Sequence, residues 1–308
     1  MLADAVVLIV VGAVALLLPS YGPYRAYLRR RLVHKAGAQV PADQEAFLES
    51  RVAVRAQGGG MGIVVAGLCA LLLSRTWAGA EEASGGLFVL ALMFVAGAAG
   101  AVLAELLRPG DAAPGPRTAR ATSPTVEDYL PPRQRTMARV FVACGVLATV
   151  GTLLLTATEW FDVGAVLRSP VPVLAVGIPV VALLSWLAAR RVLDAPQPAR
   201  DEAELYWQDA FRAETLSSLS LAAPLVSLLA LVVGGSVLDD AASAAAVAAG
   251  QNGPAWSLAL LIGGYLAPFV LVGVAVLVTS AGGSRTEMEH FRDRLWGGRT
   301  AAGVIGEA

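Results

Sequence analysis

The sequence predicts an all-α integral membrane protein with seven transmembrane helices, an external N-terminus and a cytosolic C-terminus. The first observation is composition: 56% of the 308 residues are hydrophobic and 15% are charged, which is too apolar for a soluble domain. The second is spacing, because apolar blocks of about 17–25 residues alternate with charged stretches, and about 20 residues cross a bilayer. A large soluble helical core is the alternative, and the insertion energetics of such blocks disfavour it.

Seven apolar segments form a single polytopic membrane domain over 1–308. The first is an uncleaved anchor and not a signal peptide, because Asp4 precedes it and a cluster of basic residues, including Arg25 and Lys35, follows it. The predicted spans cover about residues 2–19, 59–77, 86–107, 140–158, 171–189, 216–237 and 256–280.

The segments between the spans differ in positive charge. With seven crossings, four of these segments lie on the same side of the membrane, and they hold 21 of the 23 lysines and arginines. Only Arg75 and Arg168 lie on the opposite side. Positively charged loops stay in the cytosol, so this bias sets the orientation with the N-terminus out and the C-terminus in. The basic segments are 20–58, 108–139, 190–215 and 281–308.

Two charged, aromatic lead-in segments precede membrane spans and resemble each other. Residues 45–57 align without a gap on residues 202–214, with six identities, and a weaker third candidate is 125–139. This pattern indicates one anchor helix followed by three hairpins, each introduced by a short cytosolic helix. Chance similarity in a chain rich in alanine and arginine is the alternative.

The remaining segments carry simpler expectations. Residues 108–124 are rich in proline, alanine and glycine, which predicts a flexible cytosolic linker. The alanine-rich stretch 241–249 predicts a short surface helix or a flexible cap. The cytosolic tail, 281–308, includes a basic and aromatic segment with Phe291 and Trp296, which we expect to lie on the anionic inner leaflet.

Glu105 is the one acidic residue well inside a predicted span, where an ionised group is costly. It lies three residues before Arg108, so an ion pair along the helix is the first interpretation. A proton-relay role is the alternative, and it lacks a second buried acid. The sequence therefore lacks the usual machinery of ion-coupled transport.

No catalytic, metal or cofactor site is predicted, and we expect a protein that is not an enzyme. Lys35 is the only lysine and lies outside the spans, which excludes a retinal Schiff base and a phosphate-binding loop ending in lysine. The two histidines, His34 and His290, also lie outside the spans. The pair Glu287 and His290 has the spacing of half a metal motif, which is weak on a tail. Nothing indicates a nucleic-acid partner.

Several prolines and glycines in the C-terminal half are candidates for kinks or gating. Proline inside a membrane helix frees a carbonyl group and permits bending, although kinked packing alone also explains it. These residues are Pro179, Pro224, Pro268, Gly263 and Gly264.

Two functions are compatible with these features. The first is a non-catalytic membrane subunit or scaffold of a larger complex, such as a transport complex, with a protein partner docked on the cytosolic lead-ins. The second is a self-sufficient carrier or channel for a small neutral or apolar solute. The arginine and alanine bias is typical of a bacterium with a GC-rich genome, and we expect its cytoplasmic membrane. The predicted docking residues are Trp207, Phe211, Arg212, Phe47 and Arg55.

Overall fold

The structure of the chain, a computed structural model, is all-α in the residues that it describes. Those residues are 2–38, 40, 44–76, 86–107, 124–197, 199, 201–280 and 286–299. The helices are α1 (Leu2–Leu17), α2 (Gly22–Ala36), α3 (Glu45–Thr76), α4 (Gly86–Leu107), α5 (Val126–Tyr129), α6 (Pro132–Leu155), α7 (Val163–Arg168), α8 (Val171–Asp194), α9 (Glu202–Ala248), α10 (Ser257–Ser280) and α11 (Glu287–Trp296).

Seven of the described helices are long and apolar enough to cross a membrane: α1, α3, α4, α6, α8, α9 and α10. The predicted all-helical structure and the number of candidate spans are therefore confirmed, by helix length and composition. Nearly all of the predicted linker, 108–123, lies outside the described residues.

The lead-ins and the spans that follow them form single continuous helices, α3 and α9. This differs from the sequence pattern, which predicts a separate short helix before each span. In α9 the N-cap Asp201 accepts a hydrogen bond from the backbone N–H of Glu204, and the helix then runs for 47 residues. At about 1.5 Å per residue it is about 70 Å long, well beyond a hydrocarbon core of about 30 Å. Its charged first turns can therefore project from the membrane.

The C-terminal end of α9 corrects the expectation for residues 241–249. This stretch is the continuation of α9 to Ala248, because alanine has the highest helix propensity and nothing interrupts the run. Ala241 and Ala242 are buried against the segment around α7, including Phe161 and Val166. The turn after the helix contains Gly250, with φ +72°.

α9 is the centre of the fold. It packs against α4, α6, α8 and α10, and among the described candidate spans only α9 has more than half of its apolar window buried. In the other candidate spans less than a quarter of the apolar window is buried, which leaves apolar side chains for contact with lipid. A peripheral group of α1, α3 and α4 packs together and joins α9 mainly through α4.

Small residues allow the close packing of α3 against its neighbours. A Cβ atom at Gly62 would lie 2.1 Å from the carbonyl oxygen of Ala96 on α4, and one at Gly60 would lie 2.4 Å from the backbone nitrogen of Leu16 on α1. Only glycine fits at these two contacts. The glycine run in α3 therefore brings three backbones together, as small residues do in membrane bundles.

One end of the bundle carries a folded polar region, here called the polar cap. It consists of α2, α5, α11 and the N-terminal segments 45–57 of α3 and 202–215 of α9. Its buried core joins residues that are far apart in sequence, including Leu32, Leu48, Tyr129, Tyr206, Trp207, Phe211, Met288, Phe291 and Trp296. The cap is therefore a tertiary structure and not a set of independent surface helices.

Candidate functional site

The two lead-in helices contact each other inside the polar cap. On α3, Nη1 of Arg55 donates to Oγ1 of Thr215 at 2.8 Å and to the backbone carbonyl of Phe211 at 3.3 Å. The same atom lies 3.6 Å from the carboxylate of Glu214. Two residues predicted to dock a partner, Arg55 and Phe211, thus hold α3 and α9 together.

Glu105 pairs with Arg51, one turn before Arg55 on α3. The Nε and Nη2 atoms of Arg51 donate to Oε1 of Glu105 at 2.8 and 2.6 Å. The guanidinium carbon of Arg51 also lies 4.6 Å from the ring centroid of Phe211, a cation–π distance. Arg108, the partner expected from the sequence, lies outside the described residues. In the described chain the acid therefore joins α4 to α3.

Asp209 is a fully buried carboxylate that joins α9 to three other segments. Its Oδ1 accepts hydrogen bonds from the Tyr129 hydroxyl at 2.8 Å and from Nε2 of Gln197 at 3.0 Å. Its Oδ2 accepts a hydrogen bond from Nε1 of Trp296 at 3.0 Å. Arg212, less than one turn later, donates to the backbone carbonyl of Ala195. These bonds connect α5, the segment after α8 and α11 to α9.

Tyr129 is suited to its place beside Asp209. Burial, reinforced by the negative charge of Asp209, raises the pKa of the Tyr129 hydroxyl well above its ordinary value. The hydroxyl therefore keeps its proton at neutral pH and remains a donor to the carboxylate. A buried carboxylate is stable only when such donors surround it.

The predicted docking face requires a correction. Trp207, Phe211 and Arg212 are buried within the chain's own polar cap, so they offer no open surface to a partner or to lipid. The physical reason is that α5 and α11, from distant parts of the sequence, cover this face of α9. Phe47 is 38% exposed, and of the five predicted residues it has the most accessible aromatic ring.

The C-terminal segment also differs from the expectation that it lies on the inner leaflet. Phe291 and Trp296 are buried in the core of the polar cap, and α11 packs on α5 and α9. The Nε2–H group of His290 donates to the backbone carbonyl of Glu127 at 2.9 Å. Glu287 forms an ion pair with Lys35 of α2. The described residues contain no cluster of three or more side chains suited to a metal ion.

The residues proposed for kinks or gating occupy different environments. Pro224 is buried within α9, and Pro179 and Pro268 lie within α8 and α10. Gly264 is a packing position, because a Cβ atom there would lie 2.7 Å from Cα of Gly235 on α9. A Cβ atom at Gly263 would meet nothing within 4 Å.

Two apolar grooves flank Pro224, one on each side of α6. The first, the α6/α10 groove, has a volume of about 860 Å³ and ends at the polar cap. The second, the α6/α8 groove, has a volume of about 650 Å³. Both volumes fall in the range of small-molecule sites. The apolar wall of the α6/α10 groove includes Met137, Phe141, Leu221, Leu225, Val272 and Val276.

The polar cap end of the α6/α10 groove carries charged side chains. Arg133, Glu287 and His290 line it. Nη1 of Arg133 donates to the backbone carbonyl of Val278 at 3.4 Å, so the guanidinium group reaches from α6 to the end of α10. The sequence does not predict this groove, because its walls come from four helices in separate segments of the chain. The only local signal was Pro224.

Comparison of the chain with family models, with curated proteins and with solved structures found no match.

Proposed function

We propose that the chain is a non-catalytic membrane subunit, or scaffold, of a larger complex, with a transport complex as the first candidate. In this proposal the seven candidate spans cross the cytoplasmic membrane of a GC-rich bacterium, the N-terminus is external and the polar cap is cytosolic. The orientation is supported by the concentration of arginine in the segments that form and adjoin the cap.

The observation that carries the proposal is the exposure of two aromatic side chains on neighbouring helices of the folded cap. Tyr27 on α2 is 55% exposed and Phe47 on α3 is 38% exposed. An ion pair between Arg29 and Glu45 holds these two helices beside each other. Exposed aromatic side chains on rigid elements, with arginine nearby, are typical of the residues that dominate protein interfaces.

The internal contacts of the cap support the same proposal. The ion pairs Arg55–Glu214 and Arg51–Glu105, and the bonds to Asp209, connect helices of the chain to one another. A surface held in this way is preorganised, so a partner does not have to order it on binding. This is the property expected of a scaffold.

Affinity purification in a mild detergent tests the proposal. We expect one partner to co-purify in a fixed stoichiometric ratio, measured by quantitative mass spectrometry. The double variant Tyr27→Ala/Phe47→Ala should lower its recovery about fivefold or more, since a hot-spot side chain contributes more than about 1 kcal/mol. Trp160→Ala is the matched control, because Trp160 is also an exposed aromatic residue. It follows the end of α6 that lies away from the polar cap.

A pure monomer or homodimer that moves a solute across liposomes without a partner would contradict the subunit proposal. It would support the second candidate, a self-sufficient carrier for a small neutral or apolar solute. The observation that favours this candidate is the pair of apolar grooves beside the buried Pro224. For a carrier that bends at this residue, Pro224→Ala should change the rate of solute flux. For a scaffold, the Pro224→Ala variant should still co-purify with its partner.

A further inference from the structure

We propose that the α6/α10 groove is a binding site for an anionic phospholipid of the membrane leaflet next to the polar cap. The acyl chains lie against α6, α9 and α10, and the phosphodiester headgroup lies at Arg133. This site is independent of the partner surface at Tyr27 and Phe47.

The apolar part of the groove is open toward the side from which a lipid would enter. Leu221 on α9 is 50% exposed, and Val272 and Val276, one turn apart on α10, are 43% and 58% exposed. In a bilayer such surfaces contact acyl chains and not water. An occupant must therefore be apolar over most of its length.

The charge at the end of the groove selects the headgroup. Arg133 is exposed and has no carboxylate partner among the described residues; its one hydrogen bond there goes to the carbonyl of Val278. Glu287, the acidic residue at the same end, is already paired with Lys35. The guanidinium group of Arg133 is thus the charge left for a ligand, and guanidinium groups bind phosphate oxygens well.

The start of α6 reinforces this preference. The helix begins at Pro132, directly before Arg133, and its first backbone N–H groups have no acceptors within the helix. The positive end of the helix dipole therefore lies at the same place as the arginine. A negative headgroup is attracted by both the arginine and the helix dipole. A zwitterionic headgroup also carries a positive choline or amine group, which both of them repel.

Native mass spectrometry of the full chain in detergent tests the site, with phosphatidylglycerol and phosphatidylcholine of identical acyl chains as probes. We expect the wild type to bind phosphatidylglycerol about fivefold more tightly, the effect of one arginine near a membrane surface. Arg133→Gln should remove this difference. The control Arg191→Gln should keep it, because Arg191 is an exposed arginine at the end of α8 that lines neither groove.

A second pair of variants tests the apolar part without changing charge. Ala275 lines the groove, so Ala275→Trp should fill it and lower the binding of both lipids. Gly273→Trp, two residues away on α10, faces open space and should leave binding unchanged. Melting temperatures of all variants establish that they are folded.

Four results would overturn the proposal. The first is equal affinity for the two lipids in the wild type. The second is loss of the preference in Arg191→Gln as well as in Arg133→Gln. The third is retention of tight binding in Ala275→Trp. The fourth is displacement of the lipid by millimolar glycerophosphate, which would assign the site to a soluble anion.

Discussion

Asp209 joins three segments of the chain to α9 in the polar cap. It accepts hydrogen bonds from α5, from the segment after α8 and from α11, and its side chain is fully buried. Asp209→Asn keeps the shape of the side chain but replaces one acceptor oxygen with an NH2 group. This donor then faces another donor, and neither can form its hydrogen bond. We expect the variant to lose about 1–3 kcal/mol of stability, the cost of unsatisfied buried groups.

Thermal unfolding in detergent measures this loss as a melting temperature lower by several degrees. Asp240→Asn is the control, because Asp240 is exposed at the other end of α9 and should unfold like the wild type. Equal melting temperatures for Asp209→Asn and the wild type would show that the hydrogen bonds around Asp209 do not hold the cap.

Glu105 is explained by its ion pair with Arg51, at 2.6 Å. We expect a double-mutant cycle of Glu105→Gln and Arg51→Gln to give a coupling energy of about 0.5–3 kcal/mol, as for other residues in direct contact. Thermal or denaturant unfolding in detergent supplies the four stabilities. Additive effects would contradict a structural pair and would reopen the proton-relay alternative for Glu105.

The sequence predicts which single residues are unusual, but it does not predict contacts between residues that are distant along the chain. The sequence indicates the aromatic face of Trp207 and Phe211, but the environment of this face depends on Phe291 and Trp296, which lie 80 or more residues away. An aromatic helix face beside a membrane span gives the same sequence pattern whether it packs against lipid, a partner protein or another segment of its own chain. For Arg55 and Phe211 the sequence did select two residues that the fold brings together.

At the scale of elements, the N-terminal turn of α5, which contacts α11 through Asp128 and Arg294, is held by interactions that depend on pH. Partial burial would raise the pKa of the Asp128 carboxyl, but hydrogen bonds from Thr125 and Arg294 outweigh it and lower the pKa below its ordinary 3.8. The stabilisation is therefore complete above about pH 3.8 and is lost as the pH falls through the lowered value.

Asp128→Asn removes this stabilisation at every pH. We expect the variant to melt at a lower temperature than the wild type at pH 6, and the difference to shrink as the pH falls below 3.8. Scanning fluorimetry in detergent across this range measures it. A difference that is constant with pH would show that the ionised Asp128 stabilises neither the start of α5 nor its contact with α11.

The lead-in helices show which element boundaries sequence can predict. The pattern of charge at residues 45–57 and 202–214 located the starts of α3 and α9, because Glu45 and Glu202 are the first residues of these helices. It did not show that each lead-in continues into its span. In α3 the continuity arises because its glycines are stabilised by packing against α1 and α4, a tertiary effect.

At the scale of the whole molecule, the seven candidate spans were predictable because hydrophobicity is a local property. The arrangement around α9 was not, since it depends on contacts such as that between Gly235 and Gly264. The proposed orientation rests on the distribution of arginine alone. The cytosolic placement of the cap, the leaflet of the proposed lipid and the side of the partner all depend on it.

Labelling with a membrane-impermeant maleimide tests this orientation most directly. After replacement of Cys69 and Cys144, single cysteines are introduced as Ser84→Cys and Ser123→Cys, at positions in predicted external and cytosolic segments outside the described residues. In intact cells, Ser84→Cys should react and Ser123→Cys should react only after permeabilisation. Equal labelling of the two, or the reverse pattern, would contradict the seven-span topology with a cytosolic polar cap.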